Sequence, residues 1–377
     1  MDVRIGDCIE CNPTVKLVKG NEYPLIDIDK ITVGRKLVTN KDTIVYEKQG
    51  GCKFQNGDTL MARITPCLEN GKMAMASIPD KGIGSTELFV FRGKKGITDN
   101  DFVYYFLKQS YIRNLAANSM TGASGRQRAD LKFIKKIKFN LPSLPTQQKI
   151  SSILSSYDRL IENNTRRIRL LEQMAENLYK EWFVRFRFPE HENVEMVNGL
   201  PKGWKVKRYE EELNIRYGKG LSTEQLKEEG YPVFGSNGQI GFYDSYMYED
   251  PQILISCRGA SSGIVNISLP KSFITSNSLI CERTEKTESL YEYLKYYFLN
   301  NNLVQYQTGS AQPQITINNI VKLKLLVPEL KVQRSFSEKI RVIDMEIYNL
   351  QSQIQLLTRQ RDLLLPRLMS GKLEVKS

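Results

Sequence analysis

Between positions 141 and 182 (LPSLPTQQKISSILSSYDRLIENNTRRIRLLEQMAENLYKEW), mostly apolar residues recur at alternating steps of four and three. They are Ile150, Leu154, Tyr157, Ile161, Asn164, Ile168, Leu171, Ala175, Leu178 and Trp182. This spacing is a heptad seam rather than a broad amphipathic face. At about 1.5 Å per residue the helix is roughly 50 Å long, more than one compact lobe buries, so the pattern predicts a partner helix. Adding 186 to each seam position lands on Phe336, Ile340, Ile343, Ile347, Leu350, Ile354, Leu357, Arg361, Leu364 and Leu368, apolar at all but one place. The lead-ins also correspond, LPSLPTQQ (141–148) with VPELKVQR (327–334). The chain therefore reads as a tandem duplication, with one lobe ahead of each long helix.

Strand and helix patterns alternate inside the lobes. In the first, TLMARI (59–64), KMAMASI (72–78) and ELFVF (87–91) read as strands. Asp99 is placed to cap a helix through FVYYFLKQSYIRNLAANS (102–119), which ends at Thr121 and Gly122. A polar loop, ASGRQR (123–128), follows, and DLKFIKKIKFNLP leads into the long helix, whose entry Pro142 and Pro145 set. Phe188-Pro189 is the expected stop, followed by a polar connection over 189–203.

The second lobe repeats the outline. QILISCRG (252–259) stands where TLMARI did, and SNSLICE (276–282) resembles STELFVF (85–91). LYEYLKYYFLNNNLVQY (290–306), with Ser289 as cap, matches the first lobe's helix, and TGSAQPQ (308–314) matches TGASGRQ (121–127). YPVFGSNGQIGFYD (231–244) has no close counterpart. The expected fold class is α+β, with a first lobe over 1–141, a long helix over 142–188, a second lobe over 189–327, and a second long helix and tail over 328–377. Asn164 inside the seam either sets register at some loss of stability or sits at its edge. Arg361 and Pro366 weaken the second seam, so regular pairing is expected to stop by Leu357.

Composition narrows the partners. The 377 residues are 41% hydrophobic, enough for real cores, and the net charge of +12 favours an anionic partner, most simply nucleic acid. Residues 1–140 carry 23 Lys and Arg against 15 Asp and Glu, while residues 191–326 carry 14 against 15, so only the first lobe is basic as a whole. No apolar run suits a signal peptide or a membrane span, which points to a soluble, cytoplasmic protein. The six cysteines then read as reduced thiols. Cys8 and Cys11 form a C-x-x-C that Cys52 and Cys67 could complete into a zinc site, but only one pair has tight spacing. Scattered small hydrophobes are the plainer reading, and no metal is expected.

The order lobe, heptad helix, lobe, heptad helix resembles the specificity subunit of Type I restriction-modification systems. The residues that carry the resemblance are GDTLMARITPCLENGK (57–72) with GIGSTELFVFR, LPSLPTQQKI, LYKEWF, GSNGQIG (235–241) and the terminal LLLPRLMSGKLEV (363–375). The resemblance implies that each lobe is a target-recognition domain for one half of a bipartite duplex DNA site. It also implies that the long helices pair antiparallel, hold the lobes apart and dock two methyltransferase subunits, with restriction subunits joining them. S-adenosylmethionine, ATP and Mg²⁺ would belong to those partners, and none to this chain.

Motifs for catalysis are missing. There is no Asn/Asp-Pro-Pro-Tyr/Phe loop for a flipped adenine and no G-x-x-x-x-G-K-[ST] phosphate loop. A lone His191 removes Ser-His triads and two-histidine metal motifs. Pro79-Asp80 followed by Glu87-Leu88-Phe89 lacks the lysine of a metal-assisted nuclease. The chain reads as non-catalytic.

Between the duplicated halves the cores align while the polar loops differ, as two different half-sites would require. The DNA-contact candidates in the first lobe are Arg63, Lys72, Ser85, Thr86, Arg126, Gln127 and Arg128. In the second they are Lys219, Ser236, Asn237, Arg258, Ser261, Asn277, Gln312 and Gln314. Arginine suits guanine or phosphate, glutamine suits adenine and hydroxyls suit phosphate; the plainer reading of each is a solvated charge or a strand-end salt bridge. Arg63 and Arg258 read as the best pair, each ending its lobe's matching strand. Tyr104, Tyr105, Tyr293, Tyr296 and Tyr297 read as core rather than as a base-stacking platform. The simplest closed arrangement lays the helices antiparallel about an approximate two-fold axis, as a ruler between half-sites. The competing readings are a coiled-coil scaffold with a basic lobe that meets nucleic acid or acidic protein, and an enzyme with an unrecognised site.

Overall fold

The central strands of both lobes are near-continuous apolar runs, because each central sheet is covered on both faces. In the first lobe Met61, Met73, Met75, Phe89 and Phe91 enter one buried cluster, and Leu60, Ala62, Ala74, Ala76, Leu88 and Val90 enter another on the opposite side. The second lobe alternates likewise, with Ile253, Ile255, Leu279 and Cys281 on one side and Leu254 and Ile280 on the other. The computed structural model describes residues 2–123, 125–309 and 312–374.

The first lobe's central sheet runs Ile9–Cys11, Leu88–Gly93, Thr59–Ala62, Met73–Ala76, Leu37–Val38, and a second sheet runs Thr43–Val45, Glu22–Ile26, Lys81–Gly84, Cys52–Gln55. In the second lobe the corresponding sheets run Leu213–Tyr217, Ser278–Arg283, Ile253–Ser256, Val265–Ile267 and Gly238–Tyr243, Tyr231–Gly235, Phe273–Ile274. The hairpin over 231–243 thus has a counterpart after all. Tyr231–Gly235 pairs antiparallel with one neighbour and parallel with Phe273–Ile274, just as Glu22–Ile26 pairs antiparallel with Thr43–Val45 and parallel with Lys81–Gly84. Topology has outlasted sequence likeness there.

Three local expectations are corrected. The helix expected over 102–119 is two, Asn100–Lys108 and Ser110–Asn118, because Gln109 leaves helical geometry at ψ 135°. Asp99 does cap the first of them, its carboxylate accepting the Phe102 N–H at 2.9 Å. Ser289 does not cap the matching helix Tyr291–Asn300; its buried hydroxyl has no hydrogen-bond partner among the described residues, and the Leu290 N–H donates instead to Gln333 Oε1 at 2.7 Å. The first long helix, Leu144–Tyr179, closes in a wide turn over Lys180–Val184. It stops where Phe186 turns left-handed (φ 58°) with its ring 5.4 Å from that of Trp204, ahead of Pro189.

Compactness divides the chain into residues 1–167 with 350–377, and residues 168–349. Each unit holds one lobe and part of each long helix, so the limits drawn along the chain at 141, 188 and 327 are not those of the packed bodies. Within the first unit the helices run antiparallel, since Asp158 meets Arg361 and Asn164 meets Gln353. Ile150, Leu154, Leu365 and Leu368 join the lobe's own core there. Within the second unit, Trp182 packs on Phe336 at 5.9 Å, in one cluster with Ala175, Ile340, Ile343 and the lobe's Tyr293, Tyr296 and Tyr297. The five tyrosines are buried core residues.

Pairing does not stop at Leu357. The second long helix, Leu330–Met369, continues through Pro366, and Arg361 is 2% exposed. A buried cation is tolerable here because Asp158, on the facing helix, accepts from its Nη1, and Asp362 accepts from its Nε at 2.9 Å. Asp158 also accepts the Tyr105 hydroxyl. Asn164, buried in the seam, donates to Gln353 Oε1 at 3.0 Å, a directional bond that a slipped register would break.

Beside this pair lies Lys108, whose buried ammonium has no hydrogen-bond partner among the described residues and sits 5.7 Å from the Tyr104 ring centre. Burial, and then the charge of Arg361, push its pKa down to about 8.

Two outcomes follow from this cluster. Asp158→Ala leaves the buried guanidinium with the half-exposed Asp362 as its one remaining carboxylate and is expected to cost about 3 kcal/mol, while Asp158→Ala with Arg361→Leu costs clearly less. Denaturant unfolding of the full chain compares them, and equal losses would remove the ion pair as the cause. For Lys108, the unfolded chain holds a proton that the folded one lacks between pH about 8 and 10.5, so stability rises with pH across that window. Lys108→Met is expected to abolish that contribution and to stabilise the protein at pH 7, read as the difference in melting temperature between variant and parent from pH 7 to 10.

Candidate nucleic-acid interface

Where the central strands of a lobe end, the backbone binds several loops into one surface. In the first lobe the Arg63 N–H donates to Glu87 O (3.0 Å), Ala129 N–H to Arg63 O (2.8 Å) and Thr65 N–H to Gln127 O (3.0 Å), while Thr121 and Arg128 exchange bonds of 3.1 and 3.0 Å. These gather Arg63, Ser85, Thr86, Arg126, Gln127 and Arg128. In the second lobe the Cys257 N–H donates to Asn277 O (3.0 Å), Ile315 N–H to Cys257 O (3.0 Å) and Gly259 N–H to Pro313 O (3.1 Å), while Thr308 and Gln314 exchange bonds of 2.8 and 2.9 Å. The Ser236 hydroxyl donates to Asn277 O at 3.1 Å, Ser261 bonds to Asn237, and Ser276 N–H donates to Lys219 O at 2.9 Å. All eight candidates of that lobe thus belong to one set of linked loops. Ser124, Ser310 and Ala311 in these loops, and Val375 in the terminal stretch, lie outside the described residues.

Lys72 is not part of the surface by its charge, because its ammonium donates to Ile28 O at 3.1 Å. The pairing of Arg63 with Arg258 is off by one residue. Ala62 pairs with Leu88 as Ser256 pairs with Ser278, which makes Cys257 the counterpart of Arg63, and Ile64 that of Arg258. A one-residue offset next to a strand puts the side chain on the other face. Accordingly Arg63 is half-buried, its guanidinium 4.9 Å from the Phe89 ring centre and its Nε buried without a hydrogen-bond partner among the described residues, whereas Arg258 is exposed. Arg126, Lys219 and Arg258 are exposed cations whose side chains make no hydrogen bond or ion pair among the described residues.

Arg128 is held in place. Its Nε donates to the Glu87 carboxylate at 2.9 Å and its Nη2 at 2.6 Å. The guanidinium holds the Glu87 carboxyl below the usual carboxylate range. Sequence reading missed Glu87, since nothing in a strand motif marks a carboxylate 41 positions away as the partner of a loop arginine. It also missed Gln147 and Gln333, although both stand in the aligned lead-ins.

The cysteines do not converge as a zinc site would require. Cys8 precedes and Cys11 ends the strand Ile9–Cys11, Cys52 begins a strand of the other sheet, and among the described residues no group of three or more His, Cys, Asp or Glu is placed to hold a metal ion. Burial pushes the Cys11 thiol up to about 11 and that of Cys52 up to about 12.

Residues 1–173 and 201–358 match the family model described as the Type I restriction modification DNA specificity domain. The chain belongs to this family. It is 24% identical over its whole length to the Type I restriction enzyme MjaVIII specificity subunit of Methanocaldococcus jannaschii, covering 93% of it. Against the MjaIX specificity subunit of the same organism it is 26% identical, over 75% of this chain and 71% of that one. The crystal structure of the Type I restriction-modification system S subunit from M. genitalium shares the fold, with a TM-score of 0.60 at 17% identity over 100% of this chain and 96% of that one. Among the described residues of this DNA specificity chain, no helix is long and apolar enough to cross a membrane.

The off-by-one relation has a measurable consequence. Arg63→Ala is expected to lower stability by about 1–2 kcal/mol through lost cover over Phe89, and Arg258→Ala by under about 0.5 kcal/mol, both read from denaturant melts.

Proposed function

We propose that this chain is the DNA-reading, non-catalytic subunit of a Type I restriction-modification complex, each lobe reading one half of a bipartite duplex site. The observation that carries the reading is the doubled loop surface. One backbone scheme gathers polar side chains at the strand ends of both lobes, on cores of one topology, while the side chains themselves differ. Two reading heads of one architecture with different chemistry are what a split, asymmetric sequence requires. The net charge of +12 supplies the attraction to phosphate.

The long helices, of 36 and 40 residues, are about 54 and 60 Å long at about 1.5 Å per residue. In this reading they lie antiparallel about an approximate two-fold axis, set the spacer between half-sites and dock two methyltransferase subunits, with restriction subunits completing the complex. Adenine methylation from S-adenosylmethionine and Mg²⁺-ATP-driven translocation and cleavage belong to those subunits, in the cytoplasm.

Methylome sequencing of a strain expressing this chain with its methyltransferase is expected to return one split motif. A methylome without one would favour a scaffold role instead. Removing one heptad from both helices takes away about 10 Å and is expected to shorten the tolerated spacer by about three base pairs; an unchanged spacer would refute the ruler.

A further inference from the structure

The backbone scheme identifies equivalent positions in the two lobes more closely than sequence alignment does. Glu87 and Asn277 are one position, since the carbonyl of each accepts the N–H that follows the central strand, from Arg63 and Cys257 respectively. Arg128 and Gln314 are another, since each exchanges two bonds with a threonine, Thr121 or Thr308, and each bridges the residue after that N–H, Ile64 or Arg258. The first lobe therefore carries a carboxylate and a guanidinium where the second carries two amides.

The chemistry of the two sets differs in a definite way. Glu87 occupies Nε and one side of Nη2 of Arg128, and Arg126 O takes one Nη1 hydrogen at 3.3 Å. What remains is a planar fork of one N–H on Nη1 and one on Nη2, two donors at the spacing of the O6 and N7 acceptors of guanine. Because the carboxylate holds the guanidinium plane, little side-chain freedom is left to lose on binding. Gln314 is exposed, and its carboxamide makes no hydrogen bond among the described residues. It offers one donor and one acceptor, the complement of adenine N7 and N6. Asn277, on the other side of the Cys257–Arg258 strand end, is also exposed and uncharged, so no carboxylate stands there to orient an arginine. The cation of this lobe has moved across the bridge to Arg258, on the same face as Gln314, where it suits a neighbouring phosphate.

We propose that these equivalent positions set the base preference of the two halves, guanine through Arg128 positioned by Glu87, and adenine through Gln314. The inference rests on the DNA-reading function proposed above.

The test is the methylome of a strain expressing the full chain, or its variants, with the methyltransferase. Arg128→Gln with Glu87→Asn is expected to remove the preference for one guanine in one half-site by about tenfold or more in favour of adenine, leaving the other half-site intact. Gln314→Arg with Asn277→Glu is expected to do the reverse in the other half. Arg128→Lys keeps the charge without the planar fork, and is expected to relax that guanine alone; it decides the matter if a double variant melts well below the parent chain. A split motif that all variants leave unchanged overturns this inference and spares the DNA-reading function. So does a loss spread evenly over a half-site, which would mark phosphate contacts. No split motif from the parent chain overturns both.

Discussion

A buried amide ties each long helix to the lobe that precedes it. Gln147 accepts the Asp99 N–H through Oε1 at 3.0 Å and donates through Nε2 to Ile97 O at 3.0 Å and Pro142 O at 2.9 Å. Gln333, 186 residues later, accepts the Leu290 N–H at 2.7 Å and donates to Pro328 O at 2.7 Å. Both side chains are essentially inaccessible, at 0% and 1% exposure. A buried carboxamide with missing partners is costly, so one geometry of lobe, proline lead-in and helix satisfies it. Within each unit the direction in which the long helix leaves the lobe depends on this bond set.

The double-faced sheets make that geometry stiff. Residues that alternate between two buried clusters cannot slip by one without carrying every side chain to the wrong side. Replacement therefore costs least folding energy at the strand ends, where a loop side chain is solvated. The Glu87–Arg128 pair sits there with 23% and 42% of its side chains exposed, in the range where an ion pair adds at most about 1 kcal/mol to stability. Such a position is open to change of chemistry in a way that Gln147 is not. A DNA specificity chain benefits from that separation of a fixed frame from exchangeable contacts.

The seam shows how a rule of composition can mislead. Arg361 looks like the end of a heptad run because a lone cation in a core is prohibitive. It is tolerated because Asp158, one turn past Leu154 on the facing helix, is buried with it and Tyr105 shares the carboxylate. Asn164 has the same logic in neutral form with Gln353. Neither partner stands at a seam position, so the periodicity that reveals the seam conceals what stabilises its polar places.

Local periodicity and an offset of 186 were enough to read the two long helices, the duplication and the central strands Thr59–Ala62, Met73–Ala76, Leu88–Gly93, Ile253–Ser256 and Ser278–Arg283 from the chain alone, since each is a property of neighbours or of a repeat, whereas the second sheet of each lobe went unread. The cap of Asp99 was equally legible, being a contact across three residues. Tertiary structure alone decided the rest. It broke the helix at Gln109, gave the cap expected of Ser289 to Gln333, separated Arg63 from Arg258 by one residue and brought Glu87 to Arg128. The last three depend on a hydrogen bond or strand register joining residues far apart in sequence, and no spacing along the chain encodes which distant donor will find which acceptor once the sheets have closed.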